Sequence, residues 1–84
     1  MNKILAKYRG HLTALTGIAE ETMEVRDVED VLRSLRRNHG QEAEKTARAM
    51  LIVLNGESIS LLKSFKTVLK DGDVVSFFPV CAGG

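Results

Sequence analysis

The sequence predicts an α+β fold: one mixed sheet of four to five strands with a single main helix packed across it. Three observations predict it. At the amino end Ile4, Ala6 and Tyr8 alternate with Lys3, Leu5 and Lys7, the period of two of a half-buried strand. From Asp27 onward Val28, Val31, Leu32 and Leu35 fall at the i, i+3, i+4 and i+7 positions of an amphipathic helix. Met50 to Leu54 is a short apolar run followed at once by Asn55-Gly56, a strong hairpin signal.

Taken in order, the first strand closes at Tyr8. Arg9 to Thr16, with Leu12 and Leu15 three apart and Gly17 behind them, suits either one or two helical turns or an ordered loop stopped by the glycine. Thr22 to Val25 then pairs back on the first strand with Met23 and Val25 on one side. The helix starts at Asp27, an N-cap with Asp30 in the reach-back position. Its first turn holds Asp27, Glu29 and Asp30 and its last holds Arg33, Arg36 and Arg37, so both ends match the macrodipole before Gly40 stops it. Because acids share those turns and no aromatic is interleaved, the arginines suit a solvated face better than a phosphate patch.

Residues 41–49 suit a second, shorter helix packed through Ala43, Thr46 and Ala47. Met50 to Leu54 is expected as a buried central strand that turns at Asn55-Gly56 into Glu57–Leu61. A further turn at Asp71-Gly72-Asp73 leads to the last strand, Val74 to Phe78, which Pro79 ends. Two hairpins joined by a crossover helix put the first and last strands side by side and parallel at the centre. That is the β-grasp arrangement familiar from ubiquitin. If Val75 and Phe77 face the helix, then Val74, Ser76 and Phe78 face outward, and Leu5 with them on the neighbouring strand. Phe78 is then either an anchor for a partner or covered by the loop after the first strand.

Eighty-four residues suit one small domain, 1–79, followed by a tail, 80–84. Hydrophobic residues at 44% and charged residues at 27% exclude a disordered or collagen-like chain. A net charge of +1 gives no overall attraction to nucleic acid or acidic membranes, so neither is expected as a partner. One cysteine, Cys81, and two histidines, His11 and His39, lack zinc-ligand spacing. No apolar run approaches the length of about 20 residues that spans a bilayer, and the amino terminus shows no signal-peptide stretch, so a cytoplasmic location is expected. No Ser-His-Asp motif or phosphate-cradling glycine loop is present, and independent catalysis is not expected.

The most informative segment is the last. After Pro79 come Val80, Cys81, Ala82, Gly83 and Gly84, a length that reaches at most roughly 17 Å when extended. A terminal Gly-Gly is either a frayed end or a tail without Cβ atoms that threads a narrow channel and delivers its α-carboxylate. Because a carboxylate is a poor electrophile, the second reading requires a partner to activate it, most simply as an acyl-adenylate.

Leu69-Lys70-Asp71-Gly72-Asp73-Val74-Val75-Ser76-Phe77-Phe78-Pro79, taken with Gly83-Gly84, resembles the MoaD and ThiS superfamily of β-grasp sulfur carriers, in particular its molybdopterin synthase small-subunit branch. The likeness spans essentially the whole chain in length and element order. It implies that Gly84 is adenylated by a ubiquitin-activating-type (MoeB/ThiF-like) enzyme and converted to a thiocarboxylate by a persulfide sulfur donor. ATP would be used by that activating partner, and no cofactor is implied on this chain. The large subunit of molybdopterin synthase (MoaE-like) would then accept the sulfur for the dithiolene. Gly83 would supply access, while Leu5, Val74, Ser76, Phe78, Pro79, Val80, Cys81 and Ala82 would line the partner contact. Val80 stands where the family commonly has a second proline, and Ala6 and Lys7 where aromatics are frequent. Carriers for thiamine, cysteine or tRNA thiolation, a ubiquitin-like modifier joining Gly84 to lysines, and a plain β-grasp interaction module whose Gly-Gly is incidental remain alternatives at this point.

Overall fold

The computed structural model describes residues 1–80. Five strands form one mixed sheet: β1 (Asn2–Lys7), β2 (Glu20–Val25), β3 (Leu51–Leu54), β4 (Glu57–Ser58) and β5 (Val74–Phe78), in the order β2-β1-β5-β3-β4. β1 pairs antiparallel with β2 and parallel with β5, and β3 pairs antiparallel with both β5 and β4. The first and last strands are therefore neighbours in the middle of the sheet, the β-grasp arrangement expected from the element order.

Helices α1 (His11–Thr16), α2 (Val28–His39) and α3 (Gln41–Arg48) lie on one face of the sheet. The segment after Tyr8 takes the helical option, and Gly17 ends α1 in the left-handed conformation at φ 77°. α2 is capped as its sequence requires: the Asp30 amide donates to Asp27 Oδ1 at 2.9 Å. The reciprocal bond is displaced by one residue, since Asp30 Oδ2 accepts from the Arg26 amide at 3.0 Å and not from the amide of Asp27. Val28, Val31, Leu32 and Leu35 of α2 are buried against Ile4, Ala6, Val75 and Phe77 of the two central strands. Ala43 and Ala47 are buried on α3, where small side chains allow the helix to pack close to its neighbours.

Two elements depart from expectation. The run at 51–54 is an interior strand, paired with β5 and β4, but it is not buried on both faces: Ile52 and Leu54 pack toward the core, whereas Leu51 is 44% exposed. β4 forms the sheet edge beside β3, and the helices cover only the face that Ile52 and Leu54 share, so β3 needs only one apolar face. β4 itself is two residues long, not the five of Glu57–Leu61. Ser58 accepts the amide of Ser60 through its hydroxyl and starts a helical turn, Ile59–Leu61, which bends the chain away from the ladder. β2 also begins two residues earlier than expected, because Lys7 reaches back to pair with Glu20.

Candidate functional site

Alternation along β5 divides the last strand. Val75 and Phe77 are buried, and Val74, Ser76 and Phe78 are half-buried on the opposite face. Register decides what joins them. Leu5 stands beside Val74 on β1, while Val53 and Leu51 of β3 stand beside Ser76 and Phe78. Leu5, Val74, Phe78, Leu51 and Val53 thus make one apolar strip across the three middle strands. On its flank Lys3 and Lys7 of β1 lie opposite Glu24 and Glu20 of β2, so the strip has a charged border of both signs.

The loop after β1 touches this face at one place. The Arg9 guanidinium lies 5.3 Å from the centroid of the Phe78 ring, a cation–π contact worth about 0.5–1 kcal/mol at an exposed site. Phe78 is thus capped on one side by a long, displaceable side chain and stays half-buried.

At the end of the strip the chain passes through exposed Pro79 to Val80, which is 59% exposed. Gly10 fixes that exit. It has φ +63°, and a Cβ placed on it would come within 2.8 Å of Pro79 Cγ, so glycine is required for conformation and for room. On the helical side Pro79 also borders a cavity of about 390 Å³ with His11, Lys45, Thr46, Ala49 and Met50. Two surfaces therefore meet where the tail begins. Cys81, Ala82, Gly83 and Gly84, to which the sequence assigns the chemistry, lie outside the described residues.

His39 takes no part in this site. Its Nε2 lies 2.7 Å from Glu21 Oε2, the oxygen to which the Tyr8 hydroxyl also donates. Burial, and secondarily the hydrogen bond to the Glu21 carboxylate, hold the Tyr8 hydroxyl far above the ordinary tyrosine range. The cluster joins β1, β2 and the end of α2, a structural role. Among the described residues no group of three or more His, Cys, Asp or Glu side chains is placed to hold a metal ion, and no helix is long and apolar enough to cross a membrane.

Sequence reasoning named Leu5, Val74, Ser76, Phe78, Pro79 and Val80, and the fold brings these together. It missed Leu51, Val53, Arg9 and Gly10. The first two were legible in principle, because a two-residue turn at Asn55-Gly56 fixes which side chains of β3 face outward.

Comparison with known proteins follows the same line. The ThiS family model matches residues 6–84. The chain is similar to the solution structure of small archaeal modifier protein 1 from Methanosarcina acetivorans, at 26% identity and TM-score 0.85, covering 100% of this chain and 98% of that one. It is also similar to a Pyrococcus furiosus protein assigned provisionally as molybdopterin converting factor subunit 1, at 25% identity and TM-score 0.74, covering 96% of this chain and 100% of that one. No curated protein sequence matches it.

Proposed function

The chain belongs to the ThiS family of ubiquitin-like sulfur carriers, and from that premise we propose that it is the small, non-catalytic subunit of a molybdopterin synthase in the cytoplasm. The observation that carries this reading is the outward sheet face of Leu5, Val74, Val53, Leu51 and Phe78, crossed at its middle by Ser76 and leading at its Phe78 end to the exposed Pro79 and Val80. A partner seated on the strip holds the domain, residues 1–79, and takes the tail, residues 80–84, into its own active site.

The chemistry then belongs to the tail and its partners. The Gly84 carboxylate attacks the α-phosphorus of ATP in an activating enzyme, expelling pyrophosphate and leaving an acyl-adenylate. A persulfide sulfur on a donor protein displaces AMP, and cleavage of the resulting acyl disulfide by a thiol leaves the thiocarboxylate. Gly83, which has no Cβ, adds no side chain next to the reacting carbonyl. Arg9 yields the Phe78 ring to the partner, since the contact it gives up is weak. In the synthase large subunit the thiocarboxylate sulfur bonds to a carbon of a pterin precursor, and water cleaves the acyl carbon–sulfur bond, which leaves the sulfur on the pterin and returns Gly84 to its carboxylate.

A second reading is favoured by the likeness to small archaeal modifier protein 1: the same adenylate is captured by a lysine amine to give an isopeptide. Intact-mass measurement of the chain from its native host separates the two. One sulfur in place of one oxygen supports the carrier, and an isopeptide remnant on lysines of other proteins, residues 71–84 after tryptic cleavage at Lys70, supports the modifier. With Gly84 deleted, the carrier reading predicts loss of molybdoenzyme activity. Preserved molybdoenzyme activity, with loss of thiolated tRNA or of another sulfur product, would reassign the pathway.

A further inference from the structure

We infer that the surface around Leu61, Leu62 and Val68 is a second docking site, for a protein segment that presents an apolar side chain flanked by carboxylates. This inference is independent of the carrier reading. Leu61 is 75%, Leu62 38% and Val68 67% exposed, and they border a depression of about 720 Å³ with Lys63, Thr67 and Lys70. Apolar side chains concentrated in this way mark interaction sites more often than isolated ones do.

The segment is held in place. Val68 bridges to Asp27 in antiparallel fashion, the Val28 amide donates to the Thr67 carbonyl, and the Leu69 amide donates to the Arg26 carbonyl. The Lys63 amide donates to the buried Thr67 hydroxyl at 3.0 Å, and the Asn2 side chain donates to the Leu69 carbonyl at 2.7 Å. A surface fixed beforehand binds without a further ordering cost.

Charge selects the partner. Ser58 to Lys70 holds three of the chain's twelve basic residues and none of its eleven acidic ones. The nearby carboxylates keep their charge but are engaged by backbone amides and not by these lysines: Asp27 accepts from the Asp30 amide, Asp71 from the Lys3 amide and Asp73 from the Lys70 amide. Among the described residues the ion pairs use Arg26, Arg33, Arg36, His39 and Arg48, never Lys63, Lys66 or Lys70. Those ammonium groups are available to an acidic partner. A second copy placed symmetrically would set lysine against lysine. The depression is concave, which suits a protruding side chain better than the plane of a bilayer.

Location separates this site from the tail. Asn2, at the start of β1, bonds Leu69, whereas Gly10, beyond the end of β1, meets Pro79. The two surfaces lie at opposite ends of one strand, so both are open at once.

Amide chemical shifts of the full chain, titrated with a synthetic peptide alternating leucine with glutamate pairs, test the inference. Shifts should cluster at residues 61–70 and weaken as salt is raised. Lys63→Glu with Lys70→Glu should weaken binding about tenfold, as should Leu61→Ser with Val68→Ser. All four side chains are exposed, so urea midpoints should stay at the parent value and show that folding is intact. Absence of shifts, shifts on the sheet face instead, or equal binding of a lysine-for-glutamate peptide overturns it. So does co-sedimentation with phosphatidylserine vesicles without a response to the acidic peptide.

Discussion

Gly10 and Pro79 lie 69 positions apart, and no spacing rule connects them, yet their contact sets the direction in which the tail leaves the domain. Gly10→Ala should lower stability by about 1–2 kcal/mol from the left-handed backbone alone, with a further loss from the Pro79 clash. In a Pro79→Ala background, which lacks the offending Cγ, only the backbone part should remain; a double-mutant cycle on urea midpoints reads the difference. Tyr8 makes the second residue-scale prediction. Its hydroxyl donates to a carboxylate, so Tyr8→Phe should cost about 1–3 kcal/mol near neutral pH. The folded state keeps the phenol proton where the unfolded chain, with a pKa of about 10, releases it. The stabilisation is therefore complete below about pH 10 and drains away above it, because a raised folded-state pKa favours folding only while the unfolded group is protonated. The gap between parent and Tyr8→Phe should narrow as pH rises past that point. This is the chain's one tyrosine, so ultraviolet difference absorbance should show phenolate appearing only as the protein unfolds.

Among the elements, α2 was the most legible, since its periodic apolar face, its N-cap at Asp27 and its stop at Gly40 are all local signals. Asp27→Ala should cost about 1 kcal/mol, visible in thermal unfolding. β3 was less legible because an unbroken apolar run suits a strand buried on both faces as well as an alternating one. Tertiary pairing, with Leu51 opposite Phe78, decided between them. The turn after β3 was read correctly, Asn55 and Gly56 both having positive φ, but its long-range role was not visible. Asn55 Oδ1 accepts from the Val74 amide at 2.8 Å, and Asn55 Nδ2 donates to Asp73 at 2.9 Å, tying the hairpin to the start of β5. Asn55→Gly keeps the backbone shape and should cost about 1–2 kcal/mol for the lost bonds. Asn55→Ala should cost about 1 kcal/mol more, since it also loses the tolerance for positive φ. Equal losses in chemical denaturation would assign the whole effect to the side-chain bonds.

For the whole molecule, the order of elements predicted the parallel pairing of β1 with β5, because short connections and one crossover helix leave few arrangements. The composite face was only partly readable, since it depends on register across three strands. Leu51→Asp and Phe78→Asp should leave the domain folded, with thermal midpoints lowered by only a few degrees. On the proposed synthase reading, both should abolish calorimetric binding to a large subunit; binding that survived would move the contact elsewhere. The same sheet order has a mechanical consequence. The strand that leads into the tail is gripped on one side by β1 and on the other by β3. A tug on the carboxyl end is met as shear along two ladders together, not as unzipping from an edge, so an enzyme can haul on that end hard without dragging the globule apart.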